Sequence, residues 1–402
     1  MTKKSKYKLL APVGNFAMLR AAVDAGADAV FFGLQQFNMR ASAKNFEIKD
    51  LDEIRKICKP QGVKMYMTLN IIIYPEEVKQ VDSLLKKIKN KIDAIICWDF
   101  SVIQLCKKHK IPFHISTQAS ISNPESALFF KKLGAKKIVL ARELNLKQIK
   151  QISKILKGKP EIECFCHGAM CVSISGRCFM SQHLHGKSAN RGECTQPCRR
   201  AYKIIDLSDE KNELELDNNR VMSAKDLCTL PFIEQLKKAG ITSFKIEGRN
   251  RNPEYVYNTV KEYKKALNKK LSKEEIKQSV NEIQKVYNRG FSSGFYLGLP
   301  TSDDISKSEH GEQTETKVFV GKIEKYWPNI GVAQLIINSN PIKIGDDIYI
   351  SSDKTGIVRT KIESMQIEHK SVSSSKKGDR IGIKAPKCSE GDDVYLIKNK
   401  TL

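Results

Sequence analysis

Six of the eleven cysteines of this 402-residue chain stand between Cys164 and Cys198, in ECFCHGAMCVSISGRCFMSQHLHGKSANRGECTQPC. Six residues separate Cys171 from Cys178, fifteen separate Cys178 from Cys194, three separate Cys194 from Cys198, and Cys228 lies thirty positions further on. A zinc ribbon or finger needs paired knuckles of the CxxC type at both ends. Only Cys194 with Cys198 and Cys164 with Cys166 come near that form, and neither pair has a matching partner pair. Four thiolates drawn from a long irregular segment suit an iron-sulfur cluster, whose ligands are all Cys and can be widely spread. A nucleophilic Cys beside His167 is a third reading, and it leaves most of the cysteines without a use.

Elements that could position these groups are read from the alternation of short apolar runs with helical stretches, the pattern of βα units and a parallel sheet. Strands are expected at Lys8 to Pro12, Asp28 to Gly33, Lys64 to Asn70, Asp93 to Asp99, Phe113 to Ser120, Lys137 to Glu143, Glu161 to Gly168 and Ser243 to Gly248. Between them NFAMLRAAVDAGA reads as a helix stopped by Gly26. NPESALFFKKLGA reads as one capped by Asn123, opened by Pro124 and ended by Gly134. Eight such units over about 250 residues predict a TIM-type (β/α)8 barrel. An open doubly wound sheet would call for a Gly-rich dinucleotide fingerprint after the first strand, where Gly14 stands alone.

In such a barrel the loops after the strands form the active-site face. Polar residues at the strand ends are therefore candidates: Asn70, Asp99, Gln118, Arg142, Glu143, His167, Lys245, Glu247 and Arg249. Each also has a bland reading as a helix cap or a loop contact. Arg142 with Glu143, and Lys245 with Glu247, are equally the makings of ion pairs.

The insertion between the seventh and eighth strands is Cys-rich first and then hairpin-like from Ala201 to Met222. Ser223 is expected to cap a short helix carrying Cys228. The reading divides the chain into a barrel over 1–300 with its Cys-rich insertion at 164–228, a polar linker over 301–316, and a small all-β barrel over 317–402. Segments of the last part, IKIGD and GDRIGIK among them, are similar to the second-domain barrels of translation factors.

The formal charge is +24, which points to an acidic partner, most simply nucleic acid. Lys supplies 55 of the 69 basic residues and would give the same total on solvated helix faces, so the 14 Arg discriminate better. Five of them, Arg177, Arg191, Arg199, Arg200 and Arg220, fall among or just after the clustered cysteines, and Arg is suited to bidentate phosphate or carboxylate contacts. No apolar run approaches eighteen residues, so a soluble cytoplasmic protein without a membrane partner is expected. There thiols serve as ligands rather than disulfides. The chain has no HExxH and no GxSxG elbow, which argues against the familiar hydrolases.

ECFCHGAMCVSISGRCFMS at Glu163 to Ser181 resembles the motif of the collagenase-like peptidase family, peptidase family U number thirty-two. STQASISN at Ser116, VLAREL at Val139, RGECTQPCR at Arg191, MSAKDLC at Met222, KIEGR at Lys245 and NRGFSSGF at Asn288 are similar to further family segments. The resemblance implies hydroxylation of RNA or of a quinone precursor, with a 4Fe-4S cluster held by four Cys. Carried over, the ligands are Cys171, Cys178, Cys194 and Cys228, with Cys198 competing for the third place. Size and the appended β-barrel make the chain similar to the tRNA hydroxylation branch. That implies 5-hydroxyuridine at the wobble position, prephenate as hydroxyl donor, and an anticodon loop as partner, with a paralogous or electron-transfer protein as a further one. The ribosomal-RNA branch is the longer alternative, and a peptidase or a non-enzymatic RNA-binding module are rivals of other classes. On this reading Arg142, Arg177 and Arg249, with Gln118, Lys245 and Glu247, bind substrate, and His167 and Glu143 handle protons.

Overall fold

The computed structural model describes residues 6–40, 45–202, 208, 222–308 and 311–400. The hairpin expected after the cysteines, and Arg220 in it, lie almost wholly outside them.

The apolar runs form eight parallel strands that close on themselves. They are β1 (Lys8–Pro12), β2 (Ala29–Gly33), β3 (Lys64–Thr68), β4 (Ala94–Cys97), β5 (Phe113–Ile115), β6 (Lys137–Val139), β7 (Glu161–Gly168) and, after an excursion that includes β8 (Asp226–Cys228), β9 (Ser243–Ile246). Each of the first seven pairs with the next, β7 pairs with β9, and β9 returns to β1. The strands end earlier than the sequence runs suggest, so Asn70, Gln118, Arg142 and Glu247 belong to loops beyond the strand ends.

Helices cover the outside: α1 (Phe16–Asp24), α2 (Leu51–Cys58), α3 (Val78–Ile88), α4 (Phe100–Lys108), α5 (Pro124–Leu133) and α6 (Leu146–Leu156). Then come α7 (Met180–His185) in the insertion, α8 (Ile233–Lys238), α9 (Pro253–Asn268) and α10 (Lys273–Gln284). Their boundaries follow from local chemistry. Asn15 accepts from the Met18 amide at 2.8 Å to start α1, Asn123 accepts from the Ser126 amide at 2.8 Å to start α5, and Gly134 at φ 99° ends it. The buried residues of α3 are Val81, Leu85 and Ile88, one stripe at helical spacing.

Around Cys228 the structure departs from the expectation. Ser223 caps no helix, because Asp226–Cys228 is a strand, antiparallel to β7, with His167 opposite Cys228 and Gly168 opposite Leu227. The reason is the length of β7, which runs past the end of β6 and leaves backbone groups to be paired. Strand β8 supplies them, and β10 (Phe291–Ser292) adds to its other edge.

The barrel interior is divided. Leu10, Phe31, Tyr66 and Ile96 fill part of it. Opposite them the ammonium of Lys137 donates to Glu163 Oε2 at 3.0 Å and to Ser243 Oγ at 2.7 Å, and Ser243 donates to the same carboxylate oxygen at 2.7 Å. Glu163 is fully buried. Burial alone would raise its pKa, but the charges of Lys137 and Lys245 outweigh that and hold it down at about 2.

The C-terminal part is all-β: β11 (Glu315–Trp327), β12 (Val332–Ile337), β13 (Asp347–Ser352), β14 (Gly356–Lys361), β15 (Met365–Ile367), β16 (Lys370–Ser371), β17 (Arg380–Lys384) and β18 (Asp393–Asn399). They form one antiparallel sheet, in the order β14-β13-β18-β11-β12-β17-β15-β16, around a core that includes Val320, Leu335, Ile350 and Ile381. The sheet rests on the outer face of the barrel: Asp353 accepts from the Ala17 amide at 3.0 Å, and Lys317 pairs with Glu254 of α9 at 2.7 Å.

Candidate active site at the barrel mouth

The loops after the strands and the cysteine insertion enclose one cavity. Four thiols line it, Cys171, Cys178, Cys194 and Cys198, together with Arg40, Arg142, Lys245, Glu247 and Arg249. The insertion reaches back over the mouth because its ends are held and its interior is tied down. Arg191 pairs with Glu77 at 2.5 Å and donates to the Ile72 carbonyl, Asn190 accepts from the Cys178 amide at 2.9 Å, and Arg199 donates to the carbonyls of Met170 and Ala224.

Cys228 is not on this wall. It is buried in β8, its thiol lies 3.8 Å from the Tyr263 hydroxyl, and burial pushes its pKa up to about 11. Cys198 is the fourth thiol on the cavity wall. Burial also raises the Cys198 pKa, with Cys171, Cys194 and Cys178 close enough to add to the effect. Among the described residues no three His, Cys, Asp or Glu side chains already stand as a closed metal site. From Cys171 to Cys198 the regular structure is α7 and short turns.

Positive charge dominates the rest of the mouth. Glu247 accepts from Arg40 at 3.0 Å. Burial would raise its pKa, yet Arg40, Arg249, Arg142 and Lys245 together keep it below the usual carboxylate range. Arg249 donates to Asn38 Oδ1 and Thr68 Oγ1, both at 3.1 Å. Burial and the neighbouring Arg40 push its pKa down to about 9, so it remains a cation at neutral pH. Arg142 lies 4.5 Å above the Phe165 ring and donates to the Ala169 carbonyl at 3.0 Å. One carboxylate thus stands among five cationic side chains, counting Arg199, and the cavity lining carries a net positive charge.

Gly33 shows how closely this group is fitted. A Cβ built there would stand 2.5 Å from the Asn38 side chain and 2.7 Å from Arg249 Nη1. Gly33→Ala is expected to displace Arg249 from Asn38 and to reduce anion affinity by about tenfold or more, with a smaller loss of thermal stability. Calorimetric titration with a dicarboxylate alongside a melting curve checks both.

Other expected site residues lie elsewhere. His167 is buried behind the mouth among Tyr255, Tyr263 and Phe291, and burial, with the charge of Arg251, lowers its pKa to about 3. It is a neutral packing residue and does not line the cavity. Gly168 beside it adopts φ 102° under the Glu247 carbonyl, where a Cβ would collide. Glu143 is exposed and also off the cavity wall. Neither residue is placed to move a proton there. Arg177 lies 5.7 Å from the Trp98 ring and donates to the Gln118 carbonyl at 3.4 Å, so it braces the loop and does not face the cavity, whereas Gln118 lines it. Asp99 caps α4, accepting from the Ser101 amide at 2.9 Å. Lys245 does not pair with Glu247; its nearest carboxylate oxygen is Glu163 Oε1 at 3.9 Å. Arg40 was missed by the sequence reading. Its position in the loop after β2 was the available signal.

The family model described as peptidase family U32 matches residues 14–306. A collagenase of Porphyromonas gingivalis is 40% identical over 98% of this chain and 98% of its own length. The tRNA hydroxylation protein P1 of Bacillus subtilis is 35% identical over 85% of this chain and 83% of its own. The 23S rRNA 5-hydroxycytidine C2501 synthase of Escherichia coli is 37% identical over 65% of this chain and 39% of its own.

Proposed function

This chain belongs to peptidase family U32, and on that premise we propose that it is an RNA hydroxylase forming 5-hydroxyuridine at the wobble position of tRNA. The observation that carries the reading is the mouth itself, where four thiols meet a set of cations that exceeds its carboxylates. Relatives named for tRNA and rRNA hydroxylation support it, as does the charge of +24. A single-stranded anticodon loop can present a splayed base to such a mouth without the opening of a duplex.

Cys171, Cys178, Cys194 and Cys198 would hold a 4Fe-4S cluster. The donor set fits that group, being all thiol and drawn from an irregular segment. When bound, the cluster would supply a redox-capable iron centre beside the base. The chain's own residues do the rest. Arg142 and Arg249 would clamp the carboxylates of a small donor such as prephenate, Glu247 holds Arg40 in place, and the apolar faces of Phe31 and Phe165 limit water. Hydroxylation replaces a C–H bond with C–OH, a two-electron oxidation, so two electrons must pass either to the donor, its C–OH becoming C–H, or to a separate electron-transfer partner.

A peptidase is the reading attached to the collagenase name. It calls for a nucleophile with a base or for a metal-bound water, and no histidine borders the mouth among the described residues. Mass spectrometry of tRNA from a deletion strain separates the two: loss of wobble 5-hydroxyuridine, restored by the wild-type chain, is expected. Unchanged modification in a strain with no redundant pathway would sink the RNA reading.

A further inference from the structure

We propose that the side-chain amine of Lys245 reacts covalently, forming an imine with a 2-oxo acid held in the barrel mouth. The proposal rests on the reading that the mouth takes a small carboxylate co-substrate such as prephenate, itself a 2-oxo acid, and adds to it a covalent bond between that ketone and the protein.

Lys245 comes from β9, inside the closed barrel, and borders the cavity. Its ammonium lies 4.2 Å from the centre of the Phe31 ring and 5.4 Å from that of Phe165. At 3.9 Å Glu163 Oε1 is too far for a hydrogen bond, and Lys137 and Ser243 donate to the other carboxylate oxygen, Oε2. A buried amine so weakly held is disposed to lose its proton, and burial does lower its pKa to about 8.

A second observation identifies the rest of the ligand. The Nε atoms of Arg142 and Arg249 are buried and have no hydrogen-bond partner among the described residues. Both side chains line the same cavity as Lys245. The guanidinium groups of Arg142 and Arg249 and the Lys245 amine, bordering one cavity, suit a carboxylate adjoining a carbonyl.

The step balances without a redox partner. The amine nitrogen adds to the carbonyl carbon, the two amine hydrogens and the carbonyl oxygen leave as one water, and a C=N bond replaces C=O. Hydride from borohydride then fixes the product as a secondary amine.

The full-length protein, incubated with pyruvate and reduced with borohydride, should carry an adduct on the peptide containing Lys245. Labelling there should exceed that of any surface lysine by about tenfold and should increase as the pH is raised through about 8. Lys245→Arg, which keeps the charge, should abolish it, and lactate in place of pyruvate should give no adduct. An unlabelled Lys245 in the wild-type protein overturns the proposal, whatever the variants do. If RNA hydroxylation in cells still depends on Lys245, the imine alone is lost and the RNA reading stands. A labelled Lys245 in a protein that leaves tRNA unmodified has the opposite meaning.

Discussion

Cys198→Ala is expected to strip the anaerobically purified protein of its iron and sulfide, to on the order of a tenth of wild type or less, while Cys228→Ala keeps both. The contrast follows from where the two thiols are. Cys198 shares a cavity wall with Cys171, Cys178 and Cys194. Cys228 is buried in a strand, with a pKa pushed up to about 11 by burial and a tyrosine hydroxyl as its polar neighbour. Removing its sulfur leaves a small void and a modest loss of stability. Iron and sulfide analysis, with 5-hydroxyuridine quantified in tRNA from complemented cells, reads both variants. Iron lost from Cys228→Ala and retained by Cys198→Ala would reverse the assignment.

Glu163→Gln should cost up to about 3 kcal/mol in urea unfolding, because it removes the nearer carboxylate from the buried ammonium of Lys137 and leaves Glu161, at 3.6 Å, as its remaining countercharge. Lys245 loses its nearest carboxylate at the same time. The pH dependence has a definite sign. In the folded chain the Glu163 carboxyl titrates at about 2, against about 4.3 in an unfolded one. Its contribution is therefore present above the unfolded value and is lost as the pH falls through the folded one. Between about pH 4.5 and 2 the wild-type protein should lose more stability than Glu163→Gln. Equal acid sensitivity of the two would show that the network contributes little.

Much of the barrel was legible because strand and helix periods are local properties. Asn123, Pro124 and Gly134 bound their helix as their chemistry predicts, and the closure of eight strands follows from the count of βα units. The site was legible only in part. Cys171, Cys178 and Cys194 could be singled out by motif, but Cys228 and Cys198 differ by what surrounds them, and burial at residues far apart in the chain is not written in local spacing. The same holds for His167, which a motif marks and three aromatic rings enclose. Arg40 became visible only when the loop after β2 was seen to meet Glu247, two hundred residues later.

Strand β8 pairs with the end of the strand from which the cysteine insertion departs. The excursion thus leaves and re-enters the fold at one point, and closing it asks little of the thiol-bearing residues themselves. Such a loop can open and order again as a local event, with the barrel beneath still folded. For a loop holding the proposed cluster, metal content and global stability are thereby uncoupled. Protein purified in air should melt near the temperature of the loaded form and differ in protease sensitivity between Ala169 and Asp226.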